Sequence, residues 1–375
     1  MNIHIIKKTI LILLSALFLT FSYFMIGAYC QSNDGYNILK RTKITPVLET
    51  EIIKENNLIY CMTFQLAWNK LCNDIVKAPI VLYQPPNYIN HLNKNLTNEI
   101  FITSNEYIVQ AGFIKDGIIK TINKDLKTKF GNNAPQIDSE YDQSAIIAYA
   151  YLLITFEFRY VFENILEPLK FMSSDNKLSN IASFGFNKLN SKDPQKIELR
   201  KHILNQVSAC YFDEKQGFIL KIYANNGNVI TISTLPPCET LKKTFQQIKS
   251  FSQNNSTNRK FVLGDTLKMP KIDFKLSHSF NELLNTPIKN TSIKDYFFTK
   301  AIQDIKFSLD EKGIKLKSSS KAAIEKGIGD IILPKDFIIN GPFVLYLTKY
   351  IQDEFDLGEP YFMMYVDNDE LLVKK

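Results

Sequence analysis

The feature that most constrains the fold is a nearly continuous apolar run, SAIIAYAYLLITFEFRYVF, at residues 144–162. Its β-branched and aromatic side chains favour an extended strand, and a strand without polar alternation is buried on both faces. The run is too short, and too closely flanked by polar residues, to cross a membrane. The chain therefore needs a sheet that is covered on both sides.

Other segments predict the elements around such a sheet. Apolar residues recur every three or four positions over 56–77 and over 105–131, which predicts two amphipathic helices, and 239–251 predict a third. Residues 217–237 alternate on either side of Asn225-Asn226-Gly227, which predicts a β-hairpin. The chain has no internal repeat and no linker rich in proline, glycine or serine. Its 375 residues, 45% of them hydrophobic, therefore predict one large α+β domain.

The first thirty residues have the layout of a secretory signal. Two lysines precede an apolar run over 9–26, and small residues follow. Cleavage after Cys30 or Ala28 fits the small-residue rule; a retained signal anchor is the alternative, because the run approaches the length of a membrane span. We predict a secreted protein, extracellular or periplasmic, with a signal peptide at 1–30, a polar N-terminal extension at 31–54 and a domain at 55–375.

The charge of the chain predicts a solvated surface. The net charge of +7 comes from lysines spread along the whole chain rather than from one basic run. We therefore predict no nucleic-acid partner.

Four cysteines would remain after signal removal, too few for a disulfide scaffold in so long a chain. On one helix, Cys61 and Cys72 would lie roughly 16 Å apart, which is too far for a bond. We predict that these two, Cys210 and Cys238 are buried free thiols.

The motifs of enzymes are missing from the sequence. Only His91, His202 and His278 would remain in the mature chain, and none has the spacing of a metal ligand pair. The G-x-S-x-G, C-x-x-C, phosphate-loop and dinucleotide motifs are also missing. We predict a protein that is not an enzyme, with no catalytic residue, metal or cofactor.

A second alternating pattern lies near the C-terminus, in SLDEKGIKLKSSSKAAIEKGIGDIILP at 308–334. Small and apolar residues share one parity, and lysines fill much of the other. A polar loop has no need of such alternation, which is the pattern of a strand. The first parity holds Ile314, Leu316, Ser318, Ser320, Ala322 and Ile324, and the second holds Lys315, Lys317 and Lys321.

Five segments, taken in their order along the chain, resemble segments of the serpin family. QLAWNKL would lie on the first helix, and AYLLITFEFRYVF resembles the buried central strand, with Phe158 and Phe162 where the family usually has tryptophan and phenylalanine. The other three are LKMPKIDFKLSHSFNELL, with Met269, Pro270, Lys271, Ile272 and Phe274; IKFSLDEKG, with Ile305, Phe307 and Leu309 before Glu311 and Gly313; and NGPFVLYLTKYIQDEFDLGEPYFMMYV, the closing hairpin that starts at Pro342-Phe343.

The resemblance implies a single large α+β domain with a dominant mixed β-sheet, N-terminal helices and an exposed reactive loop near the C-terminus. It also implies a mechanism: a target serine or cysteine protease cleaves the loop, whose N-terminal part then enters the main sheet as a new strand with the acyl-linked protease attached. By this analogy the reactive-loop hinge comprises Glu311, Gly313, Ile314, Leu316, Ser318 and Ser320, and the candidate scissile bond is Lys326–Gly327.

The same resemblance implies the partner. A lysine before the scissile bond is the residue that a trypsin-like protease recognises. The protein is also expected to be a monomer with no membrane contact once the signal is removed. Family inhibitors usually have threonine and alanine where Ile314 and Leu316 stand, an asparagine at Ala150 and a lysine at Asp304, and two acids where Glu311-Lys312 stand. A suicide-substrate inhibitor is the first hypothesis; the alternative is a non-inhibitory binding or carrier protein whose loop does not trap proteases.

Overall fold

A computed structural model describes residues 36–37, 39–94, 105–138, 145–155, 157–224, 227–254, 259–294, 296–312, 333–349 and 358–375. The chain divides into two units, residues 1–37 and 38–375, and every element described belongs to the second. No helix among the described residues is long and apolar enough to span a membrane.

Sixteen strands form within the described residues. They are β1 Thr42–Thr45, β2 Asn57–Cys61, β3 Tyr107–Phe113, β4 Ile146–Thr155, β5 Glu163–Met172, β6 Leu178–Phe186, β7 Val207–Asp213, β8 Gly217–Tyr223, β9 Asn228–Ser233, β10 Arg259–Lys260, β11 Thr266–Pro270, β12 Ile272–Ser279, β13 Phe298–Leu309, β14 Asp336–Ile338, β15 Phe343–Lys349 and β16 Phe362–Val366. The α-helices of the same residues are α1 Thr63–Lys70, which continues as a π-helical turn over Leu71–Val76, α2 Ile89–Lys94, α3 Ile118–Phe130, α4 Pro194–Leu204 and α5 Leu241–Asn254.

The strands build three sheets. The largest has eight strands in the order β1-β2-β16-β15-β9-β8-β7-β10, and a second has the order β14-β11-β6-β5. The third has the order β12-β13-β4-β3. We call it the main sheet, although it is not the largest, because it contains the central strand predicted at 144–162. Its outer pairs are antiparallel, whereas its two middle strands, β4 and β13, run parallel.

The main sheet is covered on both faces, as the apolar run at 144–162 predicts. Alternate residues of β4 face in opposite directions. Ala148 and Ala150 belong to a cluster with Phe64 and Trp68 of α1, whereas Tyr149 belongs to a cluster with residues of α3. The alanines leave room for α1 to approach the sheet closely, so one strand serves two cores.

Two predicted helices are partly wrong. Residues Asn57–Cys61 form β2, and the helix predicted over 56–77 begins only at Thr63. Residues Tyr107–Phe113 form β3, and the second predicted helix begins at Ile118, after Gly117 with its left-handed backbone (φ 76°). In both places an apolar run with helical spacing pairs with neighbouring strands instead, because tertiary packing overrides local propensity.

Other predicted elements are confirmed. The hairpin forms as β8 and β9, although residues 225 and 226 of its turn lie outside the described part, and the third helix forms as α5. The closing hairpin forms as β15 and β16. The polar extension predicted at 31–54 includes β1, which pairs in parallel with β2, so part of that segment is built into the largest sheet.

Candidate functional site

The two middle strands of the main sheet form a parallel seam. The seam joins β4 to β13 from the pair Ile146–Phe298 to the pair Thr155–Ser308. Parallel pairing is slightly less stable per residue than antiparallel pairing. Each strand of the seam has an antiparallel neighbour on its other side. A new strand that entered the seam antiparallel to both would therefore make the whole sheet antiparallel.

The chain that leaves the seam is the predicted reactive loop. Strand β13 ends at Leu309, the described chain continues to Lys312, and it resumes at Leu333 ahead of β14. Of the predicted hinge residues, Glu311 is described. The others, Gly313, Ile314, Leu316, Ser318 and Ser320, and the candidate scissile pair Lys326 and Gly327, lie outside the described residues.

The start of the loop is fastened to its surroundings. The backbone N–H of Phe162 donates to the Glu311 carbonyl oxygen at 3.1 Å, and the Glu311 carboxylate forms an ion pair with Lys271. The Lys312 N–H donates to Asp310 Oδ1 at 2.8 Å, which closes a turn. The predicted hinge therefore begins at a defined point above the seam.

An aromatic cluster lies beside this point. Phe158 and Phe162 pack edge to face with their ring centroids 4.8 Å apart, and the Phe162 and Phe184 centroids are 5.8 Å apart. All three side chains are buried. Since the Phe162 backbone N–H bonds to the Glu311 carbonyl oxygen, the cluster lies beside the start of the predicted hinge.

The far end of the loop is anchored by a buried acid. Asp265 is fully buried and accepts bonds from both terminal guanidinium nitrogens of Arg259, at 2.8 and 3.0 Å, and from the N–H of Lys335, at 2.8 Å. Arg259 also donates to the Leu333 carbonyl oxygen at 2.8 Å. The described chain after the loop is thus held where it joins β14.

Solved structures share the fold of this chain. Mouse protein-Z-dependent protease inhibitor matches with a TM-score of 0.53 at 11% identity, over 83% of this chain and 91% of that chain. Serpin48 of the insect Tenebrio molitor matches with a TM-score of 0.50 at 11% identity, over 83% of this chain and 92% of that chain. This chain has the serpin fold.

The serpin fold also occurs in a protein that is named for the ligand it binds. Human thyroxine-binding globulin matches with a TM-score of 0.50 at 10% identity, over 84% of this chain and 92% of that chain. No protein-family model and no curated protein sequence matches the chain. The likeness therefore lies in the fold rather than in the sequence.

A polar residue inside the seam of this serpin fold was missed by sequence analysis. Gln303 lies on β13 opposite Ala150 and is fully buried. Its amide nitrogen donates to the Cys61 carbonyl oxygen at 3.0 Å and to Thr63 Oγ1 at 2.9 Å, at the start of α1. The sequence could have revealed it, because Gln303 alternates along the strand with the apolar residues Ala301 and Ile305 and therefore shares their inward face.

Two of the departures from the family pattern, Ala150 and Asp304, lie at this level of the seam. Ala150 leaves space where the family usually has an asparagine, and Gln303 lies opposite it. Asp304, where the family usually has a lysine, faces the other side of the sheet and accepts a hydrogen bond from the Tyr149 hydroxyl at 2.7 Å. Burial, with the Asp304 charge as a smaller cause, raises the pKa of Tyr151 to about 12.

The four cysteines of the described residues are free, as predicted, but the prediction that all four are buried is wrong for Cys238. Cys61, Cys72 and Cys210 are buried and Cys238 is half-buried. Burial raises the pKa of Cys61 and that of Cys72 to about 11. Among the described residues no group of three or more His, Cys, Asp or Glu side chains could hold a metal ion.

Proposed function

We propose that the protein is secreted after removal of residues 1–30 and acts as a suicide-substrate inhibitor of an extracellular serine or cysteine protease. A protease of trypsin-like specificity cleaves the loop at Lys326–Gly327. The N-terminal part of the cleaved loop then enters the seam between β4 and β13, with the acyl-linked protease attached. The protease carries out the bond cleavage. The inhibitor supplies the loop as a substrate and the free energy of strand insertion as the driving force.

The observation that carries this proposal is the position of the loop relative to the seam. Because β4 and β13 are parallel and the loop leaves the end of β13, a strand that folds back from Glu311 runs antiparallel to both. Such a strand finds paired partners on each side without a crossover connection. The parity of residues 314–324 gives it one face of small and apolar side chains.

The energy of insertion is favourable. The seam offers ten register pairs, and a strand of similar length forms on the order of ten ladder hydrogen bonds on insertion, each worth about 0.5–1.5 kcal/mol net. Burial of apolar side chains adds about 25 cal/mol per Å². Bulky Ile314 and Leu316 oppose this by about 1–3 kcal/mol each where the site is tight. The favourable contributions total on the order of 10 kcal/mol, so insertion stays favourable after this penalty.

Rate rather than equilibrium decides between inhibition and the second candidate function. Trapping requires insertion to outrun hydrolysis of the acyl link, and Ile314 and Leu316 enter the seam first. If they enter slowly, the loop is cleaved without trapping. The protein would then be a non-inhibitory binding or carrier protein, a role that human thyroxine-binding globulin fills with the same fold.

The test is to mix the mature protein with trypsin. An inhibitor yields a covalent complex that survives a denaturing gel, together with a cleaved form that melts at a much higher temperature than the intact protein. A rise in melting temperature without a complex supports the non-inhibitory alternative. If neither a complex nor a rise in melting temperature is seen, strand insertion of this loop is excluded.

Two matched variants assign the bond. Lys326→Gln removes the predicted cleavage site and is expected to abolish both readouts with a protease specific for lysine. Lys321→Gln removes a lysine of the same loop and leaves them unchanged. Equal behaviour of the two variants would place the scissile bond elsewhere. N-terminal sequencing of the secreted protein tests removal of residues 1–30.

A further inference from the structure

The two halves of the main sheet differ in how they continue into the rest of the domain. Strand β12 follows β11 with Lys271 alone between them, so the β12–β13 half is joined directly to the second sheet. Strand β4 ends at Thr155, and residues 156–162 connect it to β5. Because the longer connection permits a larger displacement, the β3–β4 half is the one that can shift when the seam opens.

A polar network fastens the β3–β4 half to the largest sheet. Glu106 immediately precedes β3, and its carbonyl oxygen accepts a hydrogen bond from the backbone N–H of Leu153 in β4 at 2.9 Å. The Glu106 carboxylate contacts Lys349 Nζ at 3.0 and 3.2 Å and accepts a hydrogen bond from the Asn228 amide at 3.1 Å. Lys349 ends β15 and Asn228 begins β9, two paired strands of the largest sheet. One residue therefore joins the two sheets near the loop end of the seam.

The network is shielded from water. The side chains of Lys349 and Glu106 are only 9% and 14% exposed, and Asn228 and Tyr361 are buried. The Tyr361 hydroxyl donates to Asn228 Oδ1 at 2.7 Å, which turns the amide nitrogen of Asn228 toward Glu106. A pair this shielded is screened little by salt, and loss of one partner is far more costly than at the surface.

Opening of the seam is incompatible with this network. Neighbouring strands of a sheet lie about 4.8 Å apart, so a gap that admits one more strand requires β4 to move away from β13 by about that distance. A hydrogen bond to a carboxylate is lost well before such a displacement is complete. A shift of the β3–β4 half across the largest sheet therefore breaks the contacts of Glu106 with Lys349 and Asn228.

We propose that the contacts of Glu106 with Lys349 and Asn228 form a latch that keeps the main sheet closed at the loop end of the seam. Glu106 is the moving part, because it is bonded to β4. Lys349 and Asn228 are the fixed part, because they belong to paired strands of the largest sheet. The latch goes beyond the proposed function, since it acts in the intact protein whether or not a cleaved loop inserts.

Hydrogen–deuterium exchange of the intact protein, measured by mass spectrometry, tests the latch. Lys349→Met removes the charge and keeps an apolar side chain. Strand β4 reports on the seam, and β6, in the interior of the second sheet, reports on the stability of the whole domain. We expect Lys349→Met to accelerate exchange in β4 roughly tenfold to a hundredfold, between the effects of losing a surface pair and a buried pair. Exchange in β6 should change much less.

Lys242→Met is the matched control. Lys242 Nζ contacts Glu49 Oε1 at 2.8 Å, and this pair joins α5 to the segment after β1, outside the main sheet. The substitution makes the same chemical change as Lys349→Met. We expect it to leave exchange in β4 at the rate of the unchanged protein.

Two further variants examine the contact itself. Lys349→Met combined with Glu106→Gln should exchange in β4 no faster than Lys349→Met alone, because the two side chains form one contact. Tyr361→Phe removes only the hydroxyl that orients Asn228, so it should accelerate β4 in the same direction by a smaller factor. If Lys349→Met does not fold, Tyr361→Phe carries the same comparison of β4 with β6.

The outcomes decide for or against the latch. Equal acceleration in β4 and β6 would show a general loss of stability and would overturn it, as would an unchanged rate in β4. An equal effect of Lys242→Met on β4, or additive effects of Lys349→Met and Glu106→Gln, would also overturn it. Because the protein is uncut throughout, the latch can fail while strand insertion stands, and insertion can fail while the latch stands.

Discussion

At the scale of single residues, the start of the loop depends on one ion pair. The Lys271 and Glu311 side chains are each less than a quarter exposed, so their attraction is screened less than that of a surface pair. Lys312 and Asp310, one residue along, form an ion pair at 3.1 Å, but the Lys312 side chain is 79% exposed. The two pairs therefore differ in burial more than in chemistry.

We expect Lys271→Ala to lower the free energy of unfolding by about 1–3 kcal/mol, between the values for surface and buried pairs. Lys312→Ala is the matched control and is expected to change it much less, because the Lys312 side chain is exposed to solvent. Denaturant unfolding of the intact protein measures both. Equal effects would show that the Lys271–Glu311 pair does not hold the hinge.

A histidine on β12 gives the intact protein a pH dependence. Burial lowers the pKa of His278 below its ordinary value of 6.5; the Glu282 carboxylate opposes this shift and Lys43 adds to it. As pH falls through 6.5, the unfolded chain binds a proton that the folded chain binds only at lower pH. Folding stability contributed by neutral His278 is therefore present above this window and is lost as pH falls through it.

We expect His278→Gln to reduce the loss of stability between about pH 7 and pH 5, by up to about 1.4 kcal/mol for each pH unit of separation between the folded and unfolded pKa values. Urea unfolding at a series of pH values gives the slope. An unchanged slope in His278→Gln would contradict this account.

At the scale of elements, helix α3 restrains the seam from outside. Ile119, Ile122 and Leu126 are buried against a cluster that includes Ile147, Tyr149 and Tyr151 of β4, and Ile302 of β13 packs against the same cluster. Because one cluster holds residues of α3 and β4, and Ile302 of β13 packs against it, we expect separation of the two strands to disturb the packing of α3. We therefore expect the helix to stabilise the closed seam and to slow its opening.

We expect Ile122→Ala to destabilise the intact protein by about 2–5 kcal/mol, the usual range for a buried isoleucine. It should also shorten the time that a cleaved loop takes to reach its heat-stable form. Lys124→Ala, on the exposed side of the same helix, should change neither quantity. A slower conversion in Ile122→Ala would show that α3 assists insertion instead of opposing it.

At the scale of the whole molecule, the segment after the loop contributes strands to two sheets. Strand β14 pairs with β11, and β15 lies between β9 and β16 in the interior of the largest sheet. Phe343, Val344 and Phe362 are fully buried there. A cut in the loop therefore breaks the chain without exposing this segment to solvent.

We expect the fragment 327–375 to stay bound to the rest of the protein after cleavage. Size-exclusion chromatography without denaturant should give one peak at the position of the intact protein, and a denaturing gel of that peak should show two fragments. Co-elution should persist in high salt, because apolar burial rather than surface charge holds the fragment. Release of the fragment without denaturant would contradict the described sheet order.

The sequence by itself determined the buried central strand, the hairpin at 217–233 and the alternating parity of the loop. These follow from local periodicity, which reports which faces of an element are buried. The prediction of helix from periodicity is wrong at 57–61 and 107–113, because a short apolar run satisfies helical spacing and strand pairing equally well. The neighbouring strands that decide between them come from distant parts of the chain.

Tertiary structure alone decided how the strands combine. The sequence does not show that β4 and β13 lie side by side in parallel, that Glu311 meets Lys271, or that Gln303 reaches the start of α1. Each contact joins segments far apart in the chain, and its geometry depends on the packing of the whole domain. The alternation of the loop can be read from its sequence, but the parallel pairing of β4 with β13, beside which the described chain enters the loop, became visible only in the fold.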